Sequence, residues 1–252
     1  MPPTTLHMVL ARQIGLDLAE DSLEAQHGAY LLGASTPDIR VITKQDRMST
    51  HFFDLNVHDH QDSVGAFLAA HPSLADAGAL NGDTRAFAAG YISHLVMDEQ
   101  YITEIYRRFF AQHDELGGRI RANVMDRLLQ FHVEGMYCND PELKTSVCGA
   151  LAGTVENIQA GFIETKTLEQ WRGVMLDVAA RTMDWDRIRG MVANHLRIGG
   201  LQEGESLTTF LDSLPELLDE TIAHITSAEV EAFVARSTEA TRSAVARYLG
   251  CE

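Results

Sequence analysis

Apolar positions recur along most of the chain at three- and four-residue spacing, the period of an amphipathic helix. Leu6, Val9, Leu10 and Ile14 set the first such pattern, just after the Thr4/Thr5 start. A second spans about 23–33 and stops in GASTPDI, where Gly33 and Pro37 break a helix. A short helix is predicted over 61–70, closed by His71-Pro72. NGDT at 81–84 then caps the longest pattern, which runs to about 112. Later helices are predicted near 119–137, 142–162, 167–182, 184–197, 206–225 and 227–249. Between 34 and 60 the period lapses while aromatic and ionisable residues gather, an irregular stretch of the sort that carries function.

Alternating strand patterns, Asn-Gly hairpins, a βαβ rhythm and solenoid-length repeats are all missing, so the expected class is all-α. Glycine-rich RIGGLQEGES at 197–206 is the best candidate boundary, but it reads as a joint between packed helices. A single domain over 1–252, a multi-helix bundle, is the expectation.

Composition narrows the partners. The 252 residues are 45% hydrophobic and 22% charged, globular proportions that exclude disorder. Thirty-six acidic against 20 basic side chains leave a net charge of −16, which repels phosphate backbone, so no nucleic-acid partner is expected. No apolar run approaches the roughly 18 residues of a membrane span. The opening MPPTTLHMVL lacks the basic and apolar regions of a signal peptide. Cys138, Cys148 and Cys251 are odd in number, without CxxC spacing, which fits a reducing, cytoplasmic setting. No GxSxG, P-loop or dinucleotide fingerprint supports a serine hydrolase or a nucleotide-dependent enzyme.

The sharpest chemical signal is His94-Leu-Val-Met-Asp98 inside the long helix. Residues four apart share a helical face, with Cβ atoms about 6 Å apart, so imidazole and carboxylate can reach one metal ion. Their neighbours Phe87, Tyr91, Leu95, Ile102 and Ile105 are apolar, and a carboxylate buried there needs a cation or hydrogen-bond donors. Gly90 costs this helix about 1 kcal/mol relative to alanine, which makes sense where another backbone approaches closely. HxxxD alone fits an ordinary core hydrogen bond. Its company changes the reading: Asp38 in STPDI and His51 in STHFFD lie in the irregular stretch, and His7 follows the N-terminal threonines.

Taken in order, Thr-Leu-His7, AYLLGASTPDI, STHFF and FAAGYISHLVMD resemble the zinc-dependent phospholipase C family over about residues 4–110. The resemblance implies an all-α bundle holding zinc and acting as a metal-dependent hydrolase on a small-molecule or lipid-like phosphoester. It assigns Asp38, His51, His94 and Asp98 to one metal, with Asp98 bridging to a second that His7 helps hold. Asp38 then becomes the proton acceptor for the attacking water. Residues 1–115 would be the metal-site half and 116–252 the supporting half. Departures from the family pattern are visible. Secreted members ligate metal through an N-terminal tryptophan, whereas this chain opens Met1-Pro2-Pro3 and has no tryptophan before Trp171. Glu104 stands where a histidine ligand is placed, and an unbroken helix would turn it about 120° away from the HxxxD face. Met136 stands where a later HxxxE pair, beginning at His132, needs its glutamate. One or two ions is therefore the expectation; the mixed ligand set suits zinc and also iron or manganese. A metal-binding but non-hydrolytic protein of the same fold is the alternative.

Arg40, Lys44 and Arg47 cluster just after Asp38, and Arg40 is the candidate contact for a substrate phosphate. His58-Asp59-His60 reads as a solvated turn; aligning it with HD-domain phosphohydrolases would put the HD pair on a loop. Phe210, Leu211, Leu214, Leu217 and Leu218 could serve a homodimer interface or internal packing.

Overall fold

The computed structural model describes residues 2–18, 21–198 and 205–251, and among them no strand occurs. The α-helices of eight or more residues are α1 (Thr4–Leu18), α2 (His27–Ser35), α3 (Ser63–Ala70), α4 (Gly82–Gln100), α5 (Arg119–Cys138) and α6 (Pro141–Leu151). They continue with α7 (Thr165–Ala180), α8 (Trp185–Ile198), α9 (Glu205–Asp212), α10 (Leu214–Ile225) and α11 (Ser227–Leu249). The all-α class is thus the observed one. Starts follow the sequence signals. Asn81 Oδ1 accepts from Thr84 N at 2.8 Å to cap α4, and Asp140 caps α6 with Pro141 in its first turn.

Three boundaries differ from the periodic reading. The pattern from 81 to 112 is not one uniform α-helix: Tyr101–Phe110 winds as a π-helix, closing with Ala111 N to Tyr106 O at 3.0 Å. The helix expected over 142–162 ends at Leu151, where Gly153 and then Gly161, at φ +78°, interrupt it. The pattern over 206–225 breaks at Ser213 because Pro215 has no N–H for the Leu211 carbonyl, which accepts from Arg189 Nη1 at 2.9 Å instead. Of the candidate boundary at 197–206, residues 199–204 lie outside the described residues.

Two buried apolar clusters meet along α1 and α4. In one, Tyr30 and Leu31 of α2 and Phe87 and Tyr91 of α4 pack with Met8 of α1, Val147 of α6 and Trp171 of α7. The other joins Leu6 and Leu10 of α1 and Met97 of α4 to Tyr101, Phe110, α5, and Leu214 and Leu217 of α10. Phe210, Leu211 and Leu218 pack against this second cluster, so the apolar face of α9 and α10 is used internally. Both clusters draw on both halves of the sequence.

The tightest crossing is between α2 and α4. A Cβ on Gly90 would lie 2.0 Å from the Tyr30 carbonyl oxygen and 2.8 Å from Ala34 N; one on Gly33 would lie 2.0 Å from the Phe87 oxygen. Gly90 therefore permits the close backbone approach its place in a helix suggested. Gly90→Ala should force the helices apart and lower the unfolding free energy by about 1–3 kcal/mol, the usual range for overpacking. Urea denaturation with an unchanged midpoint would refute that account.

Candidate metal centre

His7, Asp38, His51, His94 and Asp98 converge where α1, the turns after α2, and α4 meet. His7 comes from the first turn of α1, His94 and Asp98 from the α2-facing side of α4, and Asp38 from the short 3-10 turn Thr36–Ile39. His51 ends the short helix Met48–His51, after which Phe52 adopts φ 54° and turns the chain sharply. A left-handed conformation is uncommon for a bulky residue and costs roughly 1–2 kcal/mol. Packing holds it: the next residue, Phe53, is buried under the Arg107 guanidinium at 5.4 Å.

The separations within the cluster are too long for good hydrogen bonds and suit donors around an ion. His7 Nε2 lies 3.3 Å from Asp98 Oδ1, and His51 Nε2 lies 3.4 Å from Asp98 Oδ2 and 3.6 Å from Asp38 Oδ1. His94 Nε2 is 3.9 Å from Asp98 Oδ2, and the His7 and His94 rings stack at 3.7 Å. Donors about 2.0–2.2 Å from a tetrahedral zinc would be roughly 3.3–3.6 Å from one another. Two trios, His7/His94/Asp98 and Asp38/His51/His94, each keep their ligand atoms within 4.8 Å of one another.

Surrounding bonds orient the rings. His94 Nδ1 lies 2.8 Å from the Ala34 carbonyl oxygen, which can only accept, so Nδ1 carries the proton and Nε2 presents a lone pair. Thr50 Oγ1 donates to the Arg47 carbonyl at 3.2 Å and so accepts from His51 Nδ1 at 2.8 Å, freeing His51 Nε2 in the same way. Tyr91 anchors this segment by donating its hydroxyl to the Thr50 carbonyl at 2.6 Å. Thr4 Oγ1 donates to Asp38 Oδ2 at 2.6 Å. What remains is a knot of buried polar atoms without hydrogen-bond partners: both nitrogens of His7, Nε2 of His51 and His94, and Asp98 Oδ1. Each such atom costs about 1–3 kcal/mol if left unsatisfied, and a cation among them would satisfy most at once.

Electrostatics agree with that fit. Burial, with His7 adding to it, pushes the His94 imidazole down to about 3, so it is neutral at pH 7, the form that ligates metal. Burial alone would raise both carboxyl groups. For Asp38 the His51 and His94 rings outweigh it; for Asp98 those rings and His7 do, and both acids are held below the usual carboxylate range.

The three residues of the basic cluster are placed differently from one another. Arg47, not Arg40, reaches the centre: its Nη2 donates to Asp98 Oδ2 at 3.1 Å and its Nη1 to the Phe53 carbonyl at 2.9 Å. Arg40 is half-buried, its Nε has no hydrogen-bond partner, and its charge acts on Arg47 from nearby. Lys44 bonds back to the Val41 carbonyl. The neighbouring helpers Thr4, Thr50 and the Ala34 carbonyl were not singled out from sequence; only the hydroxyl preceding His51 offered a signal. The remaining candidates stay out. Glu104 pairs with Arg236 of α11, Met136 is 51% exposed, and His58, Asp59 and His60 form an exposed turn.

An all-α chain with a buried imidazole–carboxylate cluster of metal-ligand spacing is the class these features define. Residues 6–100, which contain all five side chains, match the family model described as zinc dependent phospholipase C. Neither the curated proteins nor the solved structures compared give a match.

The ring-orienting bonds make a quantitative prediction. Thr50→Val keeps the shape but removes the acceptor for His51 Nδ1, and should weaken zinc affinity about 10–100-fold in chelator competition. Unchanged affinity would mean that the Thr50 bond does not orient His51 as a ligand.

Proposed function

We propose that the protein is a metal-dependent hydrolase acting on a phosphoester, with His7, Asp38, His51, His94 and Asp98 as its metal ligands. The knot of unpartnered, buried nitrogen and oxygen atoms at ion-ligand spacing carries this reading. The family match over the same segment supports it and favours zinc. The proposal takes 1–252 as one helical domain, with the ligands in 1–115 and the packing partner in 116–252. A cytoplasmic setting remains part of the proposal; among the described residues, no helix is long and apolar enough to cross a membrane.

A divalent ion held there would acidify water and polarise a phosphoryl oxygen. The protein's own groups do the rest. Asp38, ionised and at the edge of the cluster with its side chain 18% exposed, accepts the proton of the attacking water. That water's oxygen bonds to phosphorus as the bond to the leaving oxygen breaks, and the leaving oxygen takes up a proton. Arg47, 13% exposed, offers its positive charge to the anionic oxygens, and the nearby charge of Arg40 adds to it. The exposed side chains of Val41, Met48, Leu55 and Val57 lie in the same irregular stretch and favour a substrate with an apolar portion.

Burial favours one competing reading. The side chains of His7, His51, His94 and Asp98 are at most 4% exposed, as expected of an ion that stabilises the fold or binds a ligand without hydrolysis. Zinc-loaded protein assayed on 4-nitrophenyl phosphorylcholine and bis(4-nitrophenyl) phosphate separates the two. Turnover is expected, abolished in His94→Ala and in Asp98→Ala with helicity by circular dichroism nearly unchanged. Full activity in either variant would overturn the ligand assignment. Strong thermal stabilisation by zinc without turnover of either substrate would favour the non-hydrolytic reading.

A further inference from the structure

On the metal-centre reading proposed above, we infer that the centre holds a single divalent ion, and that Arg47 is the fixed positive charge standing where a second ion would bind. Three features of the cluster lead there. The two candidate trios share His94, and that ring has only Nε2 to give, because Nδ1 is committed to the Ala34 carbonyl at 2.8 Å. One imidazole nitrogen ligates one ion, so the trios are not two complete sites filled together, and a second ion would have to draw on the carboxylate oxygens instead.

Asp98 is the residue that would have to bridge two ions, giving one oxygen to each. Its Oδ1 faces His7 at 3.3 Å without a hydrogen bond, whereas Oδ2 already accepts from Arg47 Nη2 at 3.1 Å. Arg47 is not a loose surface cation that an incoming ion would simply push aside. Its Nη1 is tied to the Phe53 carbonyl at 2.9 Å, and Phe53 is 2% exposed. On the other carboxylate, Oδ2 of Asp38 is likewise taken, by the Thr4 hydroxyl at 2.6 Å. The oxygens that a second ion needs are thus engaged.

Charge points the same way. Asp38 and Asp98 bring two negative charges and Arg47 one positive; the histidines contribute none when they act as ligands. One divalent ion takes this buried group to a single positive charge, suited to meeting an anionic phosphate. Two would leave three like charges concentrated in a site with little access to water, which is heavily penalised.

The test uses the full chain, loaded with excess zinc, desalted, and assayed for metal per chain by native mass spectrometry and by elemental analysis. The His94→Ala/Asp98→Ala double variant gives the background. One equivalent is expected in the wild type and two in Arg47→Met, which keeps the stem and removes the charge. Two equivalents in the wild type, or one in a folded Arg47→Met, would overturn the inference while leaving the metal-centre reading in place. No zinc above background in the wild type would instead remove that reading. Should Arg47→Met fail to fold, the wild-type stoichiometry decides: one supports the inference and two ends it.

Discussion

The crossing of α2 and α4 is the constraint on which the rest of the centre depends. The backbones approach so closely that no side chain fits between Gly33 and Phe87 or between Gly90 and Tyr30. That approach brings the Ala34 carbonyl to 2.8 Å from His94 Nδ1, a bond that would be lost if the helices stood even one methyl group further apart. It fixes both the ring plane and the tautomer of His94, and His94 is the one residue common to both groups of potential ligands. Trp171 supports α2 from the opposite side by donating to Ser35 Oγ at 3.1 Å. A packing feature thereby becomes a chemical one: two glycines decide which nitrogen faces the site.

Such a centre is expensive in an empty fold. Unsatisfied buried polar atoms cost about 1–3 kcal/mol each, and several sit together here, in a molecule whose total stability should be only about 5–15 kcal/mol. Evolution of a stable core alone would have replaced His7 and His94 with apolar residues, since both lie where two hydrophobic clusters meet. A bound ion would offer the offset, and would couple metal affinity directly to folding stability. Arg47 supplies part of that offset permanently, holding Asp98 against burial whatever else occupies the cluster.

How much of this was legible in the sequence follows from what kind of signal each part leaves. His94 and Asp98 were readable because a four-residue spacing in a helix puts them on one face, and Gly90 because a glycine inside a long helix asks for a close neighbour. Asp38 and His51 were found only by their company and by resemblance, since the turns that carry them have no period to extrapolate. The same lack of period hides the contact of Arg47 with Asp98: it depends on the sharp turn at Phe52, whereas closeness to Asp38 in sequence points to Arg40. The Ala34 carbonyl has no letter of its own. Helix ends at Leu151 and Ser213 were missed because apolar spacing continues past the glycines and Pro215 that stop the backbone. The π-helical winding of 101–110 is a matter of hydrogen-bond register, which the periodicity did not resolve.

The depth of the centre also limits what chemistry it can host. Only Asp38 and Arg47 present more than a few per cent of their side chains to solvent, so a substrate meets a carboxylate and a guanidinium before it meets any histidine. A groove of about 720 Å³ between α3, α4 and α11 is lined by Glu99 and Gln100 but by none of the five ligand candidates. On the proposed function, a substrate's anionic group would reach in at this edge while the remainder stays outside, over the stretch that exposes Val41, Met48, Leu55 and Val57. That geometry suits a compact phosphate head on an apolar body and disfavours a polyanion threading through a channel. The 16 excess negative charges point the same way, because a field of that sign opposes the approach of a run of phosphates.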